Sequence, residues 1–332
     1  MIVVLGATSF IGTYLVDAIM AQERQVFATG WSDSSLRYYR DKRIPCGKVN
    51  LFRVEDFDAL PRENVEAVIL LASLLPANVR DYSPQQYVDV NITGTLNTLE
   101  YCRRSGAKKI VFASSHSDVA GLWDCGRAIT EEDPRCPILT GDHAVYIITK
   151  IAGMDLVEHY HQEYGLQGIS FRLPAVYGYG PHTEIYVDGV RRVTGFKIFI
   201  EKAIAGQPIE VWGDASRGRD IVYVKDVAAA FLGAVDSCTA HGLYNIATGV
   251  RTSLDEEVRS VVDVFSPPGK RSEIIHRPEK PNHMHTYLYD ISKAKRDLGY
   301  RVQYPYRGML VDYKSEMASN RFPHLVRREH KD

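Results

Sequence analysis

The chain has 332 residues, which exceeds the roughly 250 to 300 residues that one hydrophobic core usually serves, so we expect a large domain with a smaller lobe. Its 40 Lys and Arg nearly balance its 41 Asp and Glu, which argues against a nucleic-acid-binding or membrane-surface protein. No apolar run reaches the roughly 18 residues of a membrane span, and Met1–Leu5 lacks the basic region of a signal peptide, so we expect a cytoplasmic protein. Five scattered cysteines predict neither a disulfide framework nor a zinc site.

Residues 1–20 predict a strand, a tight turn and a helix. The apolar run Met1–Leu5 ends at Gly6, Gly12 follows, and apolar residues then recur at helical spacing. Such a turn directs backbone N–H groups and the positive end of the helix at a pyrophosphate, so it predicts dinucleotide binding. Ser9 stands where the dinucleotide fingerprint has its middle glycine, and a purely structural glycine turn is the alternative.

The second predicted strand, residues 25–29, ends without the expected acidic residue. A site that selects NAD normally places Asp or Glu here for the ribose 2′-hydroxyl, but the chain reads Gly30-Trp31-Ser32. The following Arg37 and Arg40, with Ser34 and Ser35, could meet the 2′-phosphate of NADP or form a solvated helix. The sequence therefore favours NADP slightly and permits NAD.

The centre of the chain predicts a parallel sheet that carries a Tyr-Lys pair. Apolar strands at 66–72 and 109–114 alternate with helices, and the second strand delivers Ser114-Ser115-His116-Ser117 to its carboxyl end, where such sheets bind ligands. On the next helix Tyr146 and Lys150 lie one turn apart, so the ammonium could lower the pKa of the phenol and make it a general base. A second pair with this spacing, Tyr38 and Lys42, has no serine strand-end before it.

Beyond residue 178 the alternation weakens, which predicts a second structural unit. A turn-rich stretch at 179–188 comes first, and the segment 224–247 then reads as a helix and a strand that return to the sheet. We therefore predict an α/β fold with a Rossmann-type doubly wound parallel sheet. Its NAD(P)-binding domain would comprise residues 1–178 and 221–250, and a smaller α/β substrate-binding lobe would comprise 179–220 and 251–332.

Several short stretches occur in one order along nearly the whole chain. With the glycine turn, the serine cluster and Tyr146/Lys150, they are residues 87–95 (YVDVNITGT), 172–178 (RLPAVYG), 219–226 (RDIVYVKD), 244–249 (YNIATG) and 298–300 (LGY). In this order they resemble the extended short-chain dehydrogenase/reductases, specifically the nucleotide-sugar epimerase/dehydratase group. The resemblance implies an NAD(P)-dependent enzyme that oxidises a nucleoside-diphosphate sugar transiently at C4 and then epimerises or dehydrates it.

The resemblance also implies roles for the residues of the serine cluster and the Tyr-Lys pair. Tyr146 would take the proton of a sugar hydroxyl while hydride passes to the nicotinamide, and Lys150 would hold the nicotinamide ribose. His116 occupies the slot of the catalytic Ser or Thr; the alternatives are that Ser115 or Ser117 acts instead, or that His116 only fills a turn. Asp118 stands where related dehydratases carry a glutamate base, and a capping or solvated aspartate is the alternative.

The remaining residues implied by the resemblance form a cofactor set and a substrate set, and no metal is implied. The cofactor set is Gly6, Thr8, Ser9, Phe10, Ile11, Gly12, Trp31, Ser32, Asn50, Leu51, Leu71, Ala72, Ser73, Asn91, Ser114, Tyr146, Lys150, Pro174 and Val176. The substrate set is Leu74, Arg219, which would contact the diphosphate, and Tyr223. A homodimer is expected, because helices 85–103 and 146–164 carry more apolar residues than one buried face needs. The rival functions are an NADPH-consuming ketoreductase and a non-catalytic dinucleotide sensor.

Overall fold

The computed structural model describes residues 1–141, 144–180, 184–187 and 189–319. The strands are β1 Ile2–Leu5, β2 Val26–Gly30, β3 Cys46–Lys48, β4 Ala67–Leu70, β5 Lys109–Ser115, β6 Ala128–Ile129, β7 Gln167–Leu173, β8 Ala175–Tyr177, β9 Glu184–Val187, β10 Val190–Val193, β11 Ile209–Trp212, β12 Gly218–Tyr223, β13 Gly242–Asn245, β14 Arg251–Ser253, β15 Ile274–Arg277 and β16 Leu288–Tyr289. The helices are α1 Phe10–Ala21, α2 Asp33–Asp41, α3 Pro84–Tyr87, α4 Gly94–Ser105, α5 Ala144–Tyr164, α6 Gly195–Ala205, α7 Val224–Asp236, α8 Leu254–Phe265, α9 Ser292–Leu298 and α10 Tyr306–Ser319.

Seven strands form one parallel sheet in the order β13-β7-β5-β4-β1-β2-β3. The predicted Rossmann-type doubly wound sheet is therefore confirmed. The chain builds outward from β1 in both directions, so the strand order reverses between β1 and β4. A crevice opens at the carboxyl ends of the strands at such a reversal, and ligands bind there in open α/β sheets.

The sheet is buried on both faces because its strands alternate two sets of apolar side chains. On β1, Ile2 and Val4 belong to one core cluster, whereas Val3 and Leu5 belong to the other. Helices α1 and α7 cover the first face, and α4 and α5 cover the second. The apolar runs that predicted parallel strands therefore owe their length to this two-sided burial.

Four small sheets lie outside the seven-stranded one: β8 with β12 and β14, β9 with β10, β11 with β15, and β6 with β16. Strand β9 of the antiparallel hairpin β9–β10 lies within the stretch 179–188 that was predicted to be rich in turns, and β10 follows that stretch. Helix α10 was not predicted. The division into domains at residues 178, 220 and 250 stays a prediction. None of the helices in the described part of the chain is long and apolar enough to cross a membrane.

Candidate active site

The predicted cofactor residues follow strands at the carboxyl edge of the large sheet or lie on the two helices beside it. The loops after β1, β2, β3 and β4 carry, in turn, Gly6 to Gly12, Trp31 and Ser32, Asn50 and Leu51, and Leu71 to Leu74. Ser114 ends β5 with Ser115, Pro174 and Val176 follow β7, and Asn91, Tyr146 and Lys150 lie on the helical segments. The sequence positions are far apart, and the topology brings them to one edge.

The turn between β1 and α1 is packed so tightly that it needs its two glycines. Gly6 has φ of +90°, and a Cβ there would lie 2.7 Å from the backbone nitrogen of Ala72. A Cβ on Gly12 would collide with the carbonyl of Gly6. Ser9 is the N-cap of α1, and its Oγ accepts a hydrogen bond from the Gly12 N–H at 3.1 Å. The middle position of the fingerprint thus tolerates serine, and the first amides of α1 point towards a site for an anion.

Asn91 fixes the loop after β4 to helix α5. Its Oδ1 accepts from the Leu74 N–H at 2.8 Å, and its Nδ2 donates to the Leu74 carbonyl and, at 3.0 Å, to Thr149 Oγ1. Asn91 lies in a π-helical segment, Val88–Thr93, and such segments are frequent at functional sites. Asn91 thus joins the loop after β4 to helix α5, and its contact with the cofactor stays a prediction.

Tyr146 and Lys150 are both buried beside the end of β5. Lys150 Nζ donates to the Ala113 carbonyl at 2.7 Å and lies 4.7 Å from the centre of the Phe112 ring. Burial lowers the pKa of Lys150 to about 7. A buried ammonium group that contacts one carbonyl and one aromatic ring can still donate hydrogen bonds to a polar ligand.

The pKa of Tyr146 lies above the usual value of a tyrosine, whereas a pKa below that value was expected. Burial raises it to about 12, a hydrogen bond with the Ser115 side chain opposes that shift, and Tyr87 adds to it. The expectation that the Lys150 ammonium would lower this pKa is not met, because desolvation of the phenolate dominates. Ser115 is the neighbour that favours the phenolate.

His116 packs into an aromatic cluster. Its Nδ1 lies 3.1 Å from the hydroxyl of Tyr289, and its ring centre lies 4.8 Å from that of Trp123 and 4.9 Å from that of Tyr287. Trp123 Nε1 also donates to Tyr289 at 3.1 Å. The structure thus brings Ser115 to Tyr146 and sets His116 in the neighbouring wall.

Asp118 is fully buried in an ion pair with Arg172. Its carboxylate accepts from Arg172 Nε at 2.9 Å and from Nη2 at 2.8 Å. Arg172 Nη1 also donates to Asn245 Oδ1 at 3.0 Å and to the Thr130 carbonyl. A carboxylate with no exposed surface and a bidentate partner is poorly placed to take a proton from a substrate, so this placement disfavours the predicted role of Asp118 as a base.

The two remaining polar substrate candidates differ in position. Arg219 keeps 27% of its side chain exposed, and it contacts Glu257 and the hydroxyl of Tyr177. Tyr223 is 1% exposed, and its hydroxyl donates to Asp312. The expected contact of Tyr223 with substrate stays a prediction, which the pairing of its hydroxyl with Asp312 disfavours.

Sequence comparison identifies the protein family. The profile described as the NAD dependent epimerase/dehydratase family matches residues 2–247. The chain belongs to this family.

Individual members of the family are similar to the chain over most of its length. A UDP-glucose 4-epimerase of Mycolicibacterium smegmatis is 26% identical over 307 residues, which cover 90% of this chain and 93% of that protein. A dTDP-glucose 4,6-dehydratase of Xanthomonas campestris is 26% identical over 239 residues, with 67% and 64% covered. The crystal structure of a Thermus thermophilus UDP-glucose 4-epimerase in complex with NAD is 26% identical, has a TM-score of 0.74, and matches 96% of this chain and 98% of its own.

Two observations of the structure indicate that the residues of this epimerase/dehydratase family member fit a bound dinucleotide. The cradle at Gly6 and Gly12 leaves no room for side chains, as close approach of a pyrophosphate requires. Ser114 Oγ is buried at the end of β5 without a hydrogen-bond partner in the described part of the protein. A buried hydroxyl with unused capacity at the ligand edge is consistent with a partner that a cofactor would supply.

Two site residues were missed as functional candidates in the sequence, although both carry a readable signal. Arg172 is a single charge inside the buried strand 169–173, and such a charge demands a counter-ion. Glu257 interrupts the apolar face of α8 that Leu254, Val258 and Val261 share. A charge on a face that must be buried predicts a specific partner, which is Arg219 here.

Proposed function

We propose that this family member catalyses 4-epimerisation of a UDP-linked sugar by transient oxidation at C4. The observation that carries the proposal is the contrast between Asp118, whose carboxylate is committed to Arg172, and the convergence of Tyr146, Ser115 and Lys150 at the end of β5. Dehydration needs a base that removes the proton at C5, whereas 4-epimerisation needs only proton and hydride transfer at C4. The names of the relatives in M. smegmatis and T. thermophilus support the UDP-sugar.

In the proposed mechanism the protein moves one proton. Tyr146 accepts the proton of the sugar 4-hydroxyl and returns it after the C4 ketone has been presented by its other face. Ser115 donates a hydrogen bond to the same oxygen, and Lys150, which donates to the Ala113 carbonyl, would hold the ribose hydroxyls of the cofactor. The glycine turn and the start of α1 would hold the pyrophosphate of NAD. NAD would supply the hydride acceptor for C4 and a positive charge that favours the Tyr146 phenolate.

A panel of UDP-sugars tests this function. The protein is incubated with each sugar, and the products are identified by NMR while cofactor absorbance is followed. We expect a C4 epimer without net change in the cofactor. A 4-keto-6-deoxy product would make the protein a dehydratase, stoichiometric oxidation of NADPH would make it a ketoreductase, and binding without turnover of any sugar would make it a sensor.

We also propose that the cofactor site takes NAD and admits NADP. The end of β2 carries no carboxylate to repel a 2′-phosphate, since Gly30 stands there. A cavity of about 300 Å³ beside it is lined by Trp31, Lys48 and Arg53, with Asn50 and Asp56. Lys48 and Arg53 are the cations that could meet a 2′-phosphate in this cavity, whereas Arg37 and Arg40 form exposed ion pairs within α2.

A homodimer is proposed from the outer surface of helices α4 and α5. Leu96 and Ile148 are 40% and 45% exposed, and Val88 before α4 is also exposed. Exposed apolar side chains on two neighbouring helices are typical of a four-helix contact between two copies. Light scattering at micromolar concentration should give twice the monomer mass, and Leu96→Glu should shift the mass towards that of the monomer. A monomeric wild type would contradict the proposal.

A further inference from the structure

Glu257 places a buried carboxylate beside Arg219, an arginine that is partly exposed. Its side chain is 1% exposed, and its Oε1 accepts from Arg219 Nε at 3.1 Å. Its Oε2 lies 3.3 Å from Arg219 Nη2, which also donates to the Tyr177 hydroxyl at 2.6 Å. Arg219 is therefore already paired with a carboxylate before any ligand arrives.

The other groups around Glu257 are tyrosines, which stay neutral. Tyr177 from β8, Tyr287 from the segment before β16 and Tyr306 at the start of α10 interact with it electrostatically, and burial raises the pKa of each phenol. Arg219 is the charged partner among the described residues. The group formed by Glu257, Arg219 and these three tyrosines thus carries one positive and one negative charge.

A diphosphate at Arg219 would disturb this balance. The proposed substrate carries two negative charges on its diphosphate, and Arg219 is the residue expected to contact them. Because Glu257 holds the same guanidinium, the phosphates would face a buried carboxylate across a distance of a few ångströms. Like charges that close together in the protein interior strongly disfavour both being ionised.

We propose that Glu257 takes up a proton from solvent when a nucleoside-diphosphate sugar binds, so that this residue makes substrate affinity depend on pH. The proposal rests on the proposed function, since it needs the diphosphate at Arg219. Protonation converts the carboxylate to a carboxylic acid, which keeps one acceptor for Arg219 and gains a donor for a phosphate oxygen or for Tyr306, whose buried hydroxyl has no partner in the described part of the protein.

The direction of the pH effect follows from linkage. The pKa of free Glu257 is already raised by burial, an effect that Arg219 partly offsets, and a bound diphosphate would raise it further. Binding is then strongest below the pKa of the free protein and weakens as pH rises towards the pKa of the complex. Between these two values the dissociation constant should increase about tenfold per pH unit.

The test is calorimetric titration of the NAD-loaded protein with UDP-glucose at pH 5.5 to 9. Each titration is run in two buffers with different ionisation enthalpies, so that the heat difference gives the number of protons taken up. We expect uptake approaching one proton per ligand in the wild type. Glu257→Gln should lose this uptake and bind UDP-glucose about tenfold more tightly at pH 8, because the repelled charge is gone. Glu201→Gln, a control on the exposed part of α6, should behave like the wild type.

A second measurement does not depend on a variant that folds. In the infrared difference spectrum of wild-type protein, UDP-glucose should produce the carbonyl band of a newly protonated carboxylic acid. Binding without this band, or equal proton uptake in wild type and Glu257→Gln, would overturn the proposal and leave the proposed function standing. Failure of the NAD-loaded wild type to bind any UDP-sugar would overturn the proposed function and this inference with it.

Discussion

Two buried charged residues near the end of β5, Asp118 and Lys150, differ in the partners that the fold gives them. Asp118 is neutralised by Arg172, which Asn245 and the Thr130 carbonyl hold in turn. Lys150 is equally buried, but it is held by one carbonyl and the face of one aromatic ring. A charge with all its partners serves the structure, whereas a charge with too few partners remains available to a ligand. The difference separates scaffold from active site within one region of the protein.

Removal of the Asp118 charge should have the largest effect on stability. Asp118→Asn leaves Arg172 buried without a counter-ion, and breaking such a pair costs roughly 3 to 5 kcal/mol of unfolding free energy. Urea denaturation measures the loss. Asp58→Asn is the matched control, because its partner Arg62 is exposed and such surface pairs contribute at most about 1 kcal/mol. A loss below about 1 kcal/mol for Asp118→Asn would contradict its structural role.

Removal of the Lys150 charge should increase the unfolding free energy of the protein, whereas removal of the Asp118 charge should decrease it. Burial lowers the pKa of Lys150 from 10.5 to about 7, so the folded protein is destabilised by this group below pH 7 and recovers that stability as pH rises to 10.5. Lys150→Met should therefore raise the unfolding free energy at pH 7 by roughly 3 kcal/mol, after about 1 kcal/mol for the lost hydrogen bond.

Chemical denaturation of Lys150→Met and wild type at pH 7, 8.5 and 10 measures the difference between their unfolding free energies. The gain should shrink steadily with rising pH, although activity is lost throughout. An increase in unfolding free energy that is independent of pH would show that burial does not lower the pKa of Lys150.

Tyr146→Phe should reduce turnover by about 10²-fold or more, because it removes the group that transfers the proton. Its folding stability and NAD affinity should change little. Tyr38→Phe is the matched control, because Tyr38 contacts Lys42 with the same sequence spacing on α2. That control should keep turnover within about twofold of the wild type. Equal rates for the two variants in a single-turnover assay would remove Tyr146 from the mechanism.

The smallest expected effect concerns the cofactor. Arg53→Glu places a negative charge in the cavity beside the end of β2, so NADP affinity should fall about tenfold, or about 1.4 kcal/mol, while NAD affinity stays nearly constant. Arg301→Glu, an exposed substitution in the segment between α9 and α10, should change neither. Isothermal titration with both dinucleotides gives the comparison. Equal losses for NAD and NADP would place the 2′-phosphate elsewhere.

The fold was largely predictable because its signals are periodic. The helix expected at 146–164 corresponds to α5, Ala144–Tyr164, because apolar residues recur there at helical spacing. The hairpin β9–β10 escaped prediction because all four residues of Val190–Val193 are exposed, so no buried face imposes an alternating pattern. Local signals thus identify elements that cover a core and miss elements that project from it.

The site was predictable where neighbours in sequence act together and unpredictable where distant residues meet. Tyr146 and Lys150 lie one helical turn apart, and the serine strand-end before them distinguished this pair from Tyr38 and Lys42. Asp118 and Arg172 are 54 residues apart, and Arg172 and Asn245 are 73 apart. A carboxylate in a serine-rich stretch reads equally as a base or as an ion-pair partner until the fold supplies the distant arginine.

The proposed active site works at C4 and leaves C5 untouched, because Asp118, the carboxylate that follows the serine cluster, is paired with Arg172. The direct measurement is NMR of UDP-glucose incubated with NAD-loaded wild-type protein in deuterium oxide. The account predicts inversion at C4 with protium retained at both C4 and C5. Deuterium at C5, or a product that has lost water, would contradict it and return Asp118 or another base to the mechanism.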